Sequence, residues 1–275
     1  MIADTHLHTR LSPDAEQAHE NSVSAFLDAA RRLGLQYAAI TEHCDILTDH
    51  EGYVNADLDA YAEAMEIARQ ALIAAAASPV RFLYGLELAH AHIKPLEAAE
   101  ILRRNAYDFV LGSLHIPRSG ADFYNLDYDA FSDGELAGLF EAYVGELYEI
   151  ADGCDFDSLA HCTYPLRYFE KHGRLKVLCA EPEKAVPAYA EVFRRLIERG
   201  KALEVNTSGG AALSGRGLLA LYRDLGGRFV TVGSDAHNFR LVGSGVGEAE
   251  SLLGSLGFEG VTVFVGRQAR VIPFA

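Results

Sequence analysis

Six of the eleven histidines in this 275-residue chain fall at the ends of short apolar runs that recur along its length. In chain order the segments read D-T-H-L-H at Asp4 to His8, T-E-H at Thr41 to His43, G-L-E-L at Gly85 to Leu88, and G-S-L-H at Gly112 to His115. L-A-H at Leu159 to His161 and G-S-D-A-H at Gly233 to His237 complete the series. Ligand chemistry that returns at the carboxyl end of one strand after another is what a β/α barrel produces, because its site is assembled from the loops at that one face. The feature confines the chain to an α/β fold and gathers enough imidazole and carboxylate for a multinuclear metal hydrolase.

Hydrophobic periodicity agrees with that alternation. Strands are predicted at Ile2 to Asp4, Tyr37 to Thr41, Arg81 to Leu86, Phe109 to Ser113, Ser158 to Ala160, Ala202 to Val205 and Phe229 to Gly233. Helical patterns lie between them near Ser22 to Leu33, Leu58 to Ala77, Pro95 to Arg103, Gly134 to Ala151, Pro182 to Arg199 and Leu218 to Leu225. Gly34 and Gly200 follow two of these as left-handed stops. Seven strand-helix units plus a last apolar piece, Val261 to Val265, fit a closed or nearly closed barrel. No tandem repeat or Pro- or Ser-rich linker divides residues 1–275, and 49% hydrophobic content supplies one sizeable core, so a single domain is expected.

The formal charge of −15, from 24 basic and 39 acidic residues, sets the surface against a nucleic-acid backbone. Chelated cations would reverse that field locally and let a small phosphate approach. Cys44, Cys154, Cys162 and Cys179 form no C-x-x-C pair, which suits a reducing cytoplasm. Cys44 and Cys162 follow candidate ligand histidines and read as small apolar fillers. The sequence opens without a basic, apolar leader, and the run Ala71 to Ala77 is too short to span a bilayer, so a cytoplasmic protein without a membrane partner is expected.

His6 and His8 are two residues apart, so on a regular strand both rings face the same way and can grip one metal. Asp4 shares that face, where its carboxylate could orient a ligating imidazole. Spacing alone is a common accident; the company of Glu87, His115, His161, Asp235 and His237 at other strand ends gives it weight. His90 and His92 repeat the spacing beyond a strand end and read as solvated, and His19, His50 and His172 read as surface residues. Imidazole and carboxylate without thiolate favour zinc, iron or manganese. The donors exceed what one ion needs, so two or three ions are implied, with Glu87 placed to bridge. Such a cluster lowers the pKa of water and clamps phosphoryl oxygens, making phosphoester hydrolysis the natural reaction class and amide or deamination chemistry the next.

In combination these segments resemble the PHP (polymerase and histidinol phosphatase) family of metallohydrolases, along nearly the whole chain. Its four motifs match D-x-H-x-H at Asp4 to His8, T-E-H at Thr41 to His43, His115, and S-D-A-H at Ser234 to His237. The resemblance implies a distorted seven-stranded (β/α)7 barrel, TIM-barrel-like, with its site at the carboxyl ends of the strands and usually three metals. Carried over by position, His6, His8, Glu87 and Asp235 would hold one ion, and Glu87, His115 and His161 a second. His43 and His237 would hold a third with Asp14, although Ser12-Pro13-Asp14 is also an ordinary turn sequence. Glu42 would balance charge beside them.

Within the family the chain is most similar to the histidinol phosphate phosphatase branch, on its length, L-G-S-L-H, the run L-E-V-N-T-S-G at Leu203 to Gly209 and the ending R-x-x-R-V-I-P-F. That branch implies L-histidinol phosphate as substrate in histidine biosynthesis, Arg167 in C-T-Y-P-L-R-Y on the phosphate, and Asn206 close by. Asp235 or His237 would pass a proton to the leaving alkoxide. The chain departs from the branch after N-T-S-G, where a second arginine is postponed to Arg216; Arg118 and Arg240 are alternative phosphate contacts. The rival readings are another phosphoesterase of this fold acting on nucleotides or other small esters, and a metal-binding regulatory protein without catalysis. G-S-G-V-G at Gly243 to Gly247 lacks the dinucleotide-loop spacing and reads as a flexible connection into a helix near Glu248. Phe123, Tyr124 and Tyr128 read either as a pocket wall or as core packing.

Overall fold

The predicted strands pair in parallel in their order along the chain. A computed structural model describes residues 1–15, 19–46, 58–174, 182–208 and 216–274. Strands β1 (Ala3–Asp4), β2 (Tyr37–Ile40), β4 (Arg81–Ala89), β5 (Phe109–Ser113), β6 (Ser158–Leu159), β7 (Ala202–Asn206) and β8 (Val230–Gly233) form one sheet in that sequence. A short β3 (His43–Asp45) prolongs β2 along β4, pairing His43 with Glu87. The ends of the sheet meet: Thr5 N–H donates to Val232 O, Asp235 N–H to His6 O and His8 N–H to Ala236 O, each at 2.9 Å. The result is a distorted, nearly closed barrel of 7 parallel strands. Strands β5, β7 and β8 are buried throughout, as strands covered on both faces must be.

Around the barrel run α1 (Val23–Leu33), α2 (Leu58–Ala74), α3 (Pro95–Arg104), α4 (Asp133–Gly153), α5 (Tyr164–Lys171), α6 (Pro182–Glu198), α7 (Arg216–Asp224) and α8 (Val246–Ser255). Local chemistry fixes their ends. Ser22 caps α1 by accepting from Ala25 N–H, and Gly34 stops it at φ 67°. Ser132 and Glu135 make a reciprocal capping box at the start of α4. Phe26, Leu27 and Ala30 of α1 and Leu136, Phe140, Tyr143 and Leu147 of α4 are buried inward. Among the described residues no helix is long and apolar enough to cross a membrane.

Three expectations change. Val261 to Val265 does not continue the barrel: β9 (Gly260–Val265) pairs antiparallel with β10 (Gln268–Pro273) as a separate hairpin. Thr262 Oγ1 accepts from Val230 N–H at 3.1 Å, and Gly266 N–H donates to Asp108 Oδ1 at 2.9 Å. Both contacts lie where β8 and β5 begin, so the hairpin covers the end of the barrel away from the histidines. Helix α5 has no counterpart in the sequence reading, because eight residues opening on Tyr164-Pro165 carry little periodicity. The Gly243 to Gly247 segment is pinned rather than flexible, with Gly243 N–H donating to Asp4 Oδ2 at 2.7 Å and Gly245 entering α8 at φ 70°. Residues His50, Cys179 and the glycine-rich stretch 209–215 lie outside the described residues; the other three cysteines are free and buried.

Candidate metal centre

The D-T-H-L-H segment keeps strand geometry past the end of β1, held from both sides. Leu7 N–H donates to Thr41 Oγ1 at 3.0 Å and Thr41 N–H to Leu7 O at 2.9 Å, while His6 and His8 bond Asp235 and Ala236 across the closing seam. Both rings therefore face the barrel mouth, with centroids 4.9 Å apart. Glu87, fully buried at the centre, receives them: its Oε2 lies 3.3 Å from His6 Nε2, 3.4 Å from His8 Nε2 and 2.7 Å from His43 Nδ1. Its Oε1 lies 3.1 Å from His115 Nε2 and 2.8 Å from His161 Nε2. Asp235 Oδ1 stands 3.4 Å from His8 Nε2 and 3.7 Å from His6 Nε2. At the mouth, Asp14 Oδ2 is 3.1 Å from both His43 Nε2 and His237 Nε2.

Four overlapping groups of donors lie close enough to share an ion: His8, His43 and His237; His6, His8 and Glu87; His6, His161 and Asp235; and His43, Glu87 and His115. The overlap makes one continuous cluster, with Glu87 common to two of the groups as it is to two of the ligand sets that the resemblance implies. His43 faces Glu87 with one ring nitrogen and Asp14 with the other, so it belongs to two groups at once.

The residues present fit divalent cations. Among the described residues, His6 Nε2, His8 Nε2, His43 Nδ1 and Glu87 Oε2 are buried without a hydrogen bond of proper geometry. Orphaned polar atoms cost on the order of 1–3 kcal/mol each, and a shared cation is what such inward-facing donors satisfy. No thiolate joins them. Burial opposes charge on His6 and His115, yet neighbouring carboxylates outweigh it: Glu204, Asp235 and Glu87 raise His6 well above its ordinary value, and Asp45 and Glu87 hold His115 up at about 10. His8 goes the other way, kept neutral by burial and by His43 and His237. Burial also resists ionisation of Glu87, but His43, His6 and His115 keep it well below the usual carboxylate range.

Behind the donors stands a set of carboxylates that fixes their rings, two of which the sequence reading omitted. Glu204 on β7 accepts from His6 Nδ1 at 2.6 Å and from His161 N–H at 2.7 Å. Asp45 on β3 accepts from His115 Nδ1 at 3.1 Å. Partners of this kind set tautomer and ring angle. A charged residue inside the buried run Leu203-Glu204-Val205 was the available signal. Glu42 is buried as well, pushed up to about 7 by desolvation, and binds Thr9 and Ser12; Ser12 Oγ then meets His8 Nδ1 at 3.2 Å. Backbone strain gathers here too, with His90, His161 and Asp235 at positive φ.

Several expected positions differ. Among the described residues no imidazole hydrogen-bonds to Asp4: its oxygens accept from Ser234 N–H at 2.8 Å, Ser234 Oγ at 2.6 Å and Gly243 N–H at 2.7 Å, so it braces the S-D-A-H loop. His90 and His92 are not solvated. His90 is buried and its Nε2 accepts from Ile116 N–H at 3.3 Å, tying the loops after β4 and β5, while His92 meets Glu146 of α4 at 2.8 Å. His19 and His172 are exposed as expected, His172 stacking on Tyr128. Of the four arginines, only Arg167 enters the site. Arg118 pairs with Glu149 at 2.7 Å, Arg240 with Glu20 at 3.0 Å, and Arg216 bonds Ser255 at 3.2 Å. These contacts draw them to neighbouring surface groups outside the cavity.

Arg167 lies at the start of α5, 3.4 Å from Ser208 Oγ and from Asn206 Oδ1, and no carboxylate among the described residues comes within 4 Å of it. Asn206 Nδ2 reaches Asp235 Oδ2 at 3.3 Å, linking guanidinium to cluster. Above them opens a cavity of about 550 Å³ whose wall includes His115, His161, Tyr164, Arg167, Asp235 and His237. Tyr124 lines it, whereas Phe123 and Tyr128 are buried core.

Barrel and donor cluster together define an α/β barrel whose mouth gathers imidazole and carboxylate donors of the kind that hold divalent metal, with Arg167 lining the same cavity. Residues 4–208 match the PHP domain model, and the chain belongs to that family. It is similar to the probable histidinol-phosphatases of Clostridium acetobutylicum (28% identity over 245 residues, 86% of this chain and 87% of that one) and Thermotoga maritima (26% over 267 residues, 95% of each). It is likewise similar to the histidinol-phosphatase of Lactococcus lactis subsp. lactis (26% over 274 residues, 96% of this chain and 94% of that one). The crystal structure of the L. lactis histidinol phosphate phosphatase with zinc, L-histidinol and phosphate superposes with a TM-score of 0.72 over 98% of each chain, at 22% identity.

Proposed function

We propose that this protein is a metal-dependent phosphomonoesterase that cleaves L-histidinol phosphate to L-histidinol and phosphate, in the histidine-forming pathway of the cytoplasm. The observation that carries the reading is Arg167, a guanidinium with no carboxylate within 4 Å among the described residues, in one cavity with the donor cluster centred on the buried Glu87. The names of the relatives and the ligands of the structural neighbour supply the particular ester.

Two or three divalent ions, of zinc, iron or manganese, would be held by His6, His8, Asp14, His43, Glu87, His115, His161, Asp235 and His237. When bound, they supply Lewis acidity toward phosphoryl oxygens and acidify water. The chain's own groups do the rest. Arg167 presents planar N–H donors to the phosphoryl group, held in place by Asn206 and Ser208. Water adds to phosphorus and gives up a proton, the bond from phosphorus to the alcohol oxygen breaks, and that oxygen takes up a proton relayed through Asp235 or His237, so that the alcohol and hydrogen phosphate leave. His237 stands nearer the mouth, its side chain 31% exposed against 13% for Asp235.

A phosphate-release assay on metal-loaded protein tests the reading, with L-histidinol phosphate set against nucleotides and sugar phosphates. A kcat/KM advantage for L-histidinol phosphate is expected; equal turnover of all esters would leave a phosphoesterase of another specificity. Arg167→Ala should lower kcat/KM by about 10²-fold or more, as loss of a preorganised oxyanion donor does, and Arg167→Lys should recover only part of it.

A further inference from the structure

The same cavity has a second wall that the hydrolytic step leaves unused. The segment after β5 brings Asp122, Tyr124 and Asn125 to its rim, facing Tyr164 and Tyr168 of α5. Tyr124 meets Tyr168 edge-on at 5.7 Å, Tyr168 meets Tyr164 at 5.1 Å, and Tyr164 meets His161 at 5.7 Å. An aromatic ladder thus runs from the rim to the donor cluster. Asp122 accepts from Tyr124 N–H at 3.0 Å and from Asn125 Nδ2 at 2.6 Å, both neutral donors. Among the described residues no Lys, Arg or His lies within 4 Å of its carboxylate. The cavity therefore has an uncompensated cation, Arg167, near the cluster and an uncompensated anion at the rim, with tyrosine faces between them.

We infer that Asp122 and Tyr124 select the leaving group: an alcohol that carries a positive charge, its ammonium set against the Asp122 carboxylate and its apolar body along the tyrosines. This rests on the phosphatase reading above and assigns its specificity to named residues. A cation between a carboxylate and aromatic faces is attracted by both, more strongly in a half-enclosed cavity than in open water. A nucleotide or sugar phosphate brings no cation to that point and leaves Asp122 facing neutral or negative groups, which is discrimination by mismatch as well as by fit.

Calorimetric binding of L-histidinol to metal-loaded protein tests this apart from turnover. Asp122→Asn removes the charge while keeping an oxygen for the Tyr124 N–H. It should weaken L-histidinol by about tenfold or more, the scale of one lost charge pairing of about 1.4 kcal/mol. It should also lower the kcat/KM ratio of L-histidinol phosphate over n-propyl phosphate by a similar factor. Asp122→Glu should retain most of both. Tyr124→Ala, which deletes an exposed ring, should weaken L-histidinol severalfold and provides a test should Asp122→Asn fail to fold. L-histidinol binding within twofold of wild type in Asp122→Asn, or equal loss on both esters, overturns the assignment. Asp122-dependent binding in a protein that hydrolyses no ester would instead sink the phosphatase reading and leave the rim assignment standing.

Discussion

Glu204 makes two demands on one carboxylate that no neutral substitute meets. Its Oε1 accepts from the His6 ring and its Oε2 from the His161 backbone, so both oxygens must be acceptors. A glutamine offers one oxygen and one N–H₂, leaving either the His6 ring unoriented or the His161 N–H facing a donor. Glu204→Gln is therefore expected to weaken metal binding by about 10–100-fold, the usual scale for a group that orients a ligand, as read by chelator competition. Affinity equal to wild type would remove Glu204 from the ligand support. Most of the candidate ligands could be picked out in the sequence because they end apolar runs, whereas Asp14, in a turn, came only from the resemblance. Their supports could not be picked out: Asp45 and Glu204 act across strands, on His115 and on His6 and His161, and spacing along the chain carries no record of such pairs. Asp4 shows the reverse error, since alternation put it on the correct face but could not show that Ser234 and Gly243 occupy both its oxygens.

At the scale of elements, the closing seam between β1 and β8 decides whether the cluster assembles. Gly233 ends β8 beside His6, where an added Cβ would lie 2.3 Å from His6 Cβ and 2.7 Å from Glu204 Oε1. The first is fixed to the His6 backbone and the second belongs to a side chain held by the His6 ring, His161 N–H and Asn206 Nδ2, so neither can yield cheaply. Gly233→Ala should cost about 1–3 kcal/mol of stability, as overpacking does, and should also loosen metal by displacing His6. Thermal melts with and without chelator separate the effects: the variant should melt lower in both, with a smaller gap between them. A full wild-type gap would mean that the seam does not set the ligand geometry. Most elements could be read from sequence because buried parallel strands such as Phe109–Ser113 are continuous apolar runs, and because Gly34 and Gly200 mark helix ends, both at positive φ. The β9–β10 hairpin deceived that reading. Val261 to Val265 is as apolar as a barrel strand, and only its antiparallel partner shows that it seals the far end.

Across the whole molecule, acidic excess and metal uptake are coupled through protons. Without metal, carboxylates at the cluster are balanced by imidazolium: His6, His43, His115 and His237 are all raised, His115 to about 10 from an ordinary 6.5. Each raised histidine stabilises the metal-free fold fully below pH 6.5, and His115 loses that contribution as pH climbs toward 10. His8 and His90, both lowered, are neutral in folded and unfolded chains above pH 7 and do not alter that slope. Metal must displace the protons, so its affinity moves the opposite way and rises with pH, about tenfold per unit for each proton released. Stripped protein should therefore melt at progressively lower temperature from pH 7 to 9, while the stabilisation regained on adding zinc or manganese should grow. Calorimetric titration of metal in buffers of differing ionisation enthalpy reads the proton count directly. At pH 7 the apparent enthalpy should change with the buffer, with a slope of at least about one proton per cluster, and that slope should shrink as pH approaches the His115 value. A buffer-independent enthalpy at pH 7 would mean that the metal binds without displacing these protons, and the imidazole-carboxylate cluster could not then be its site.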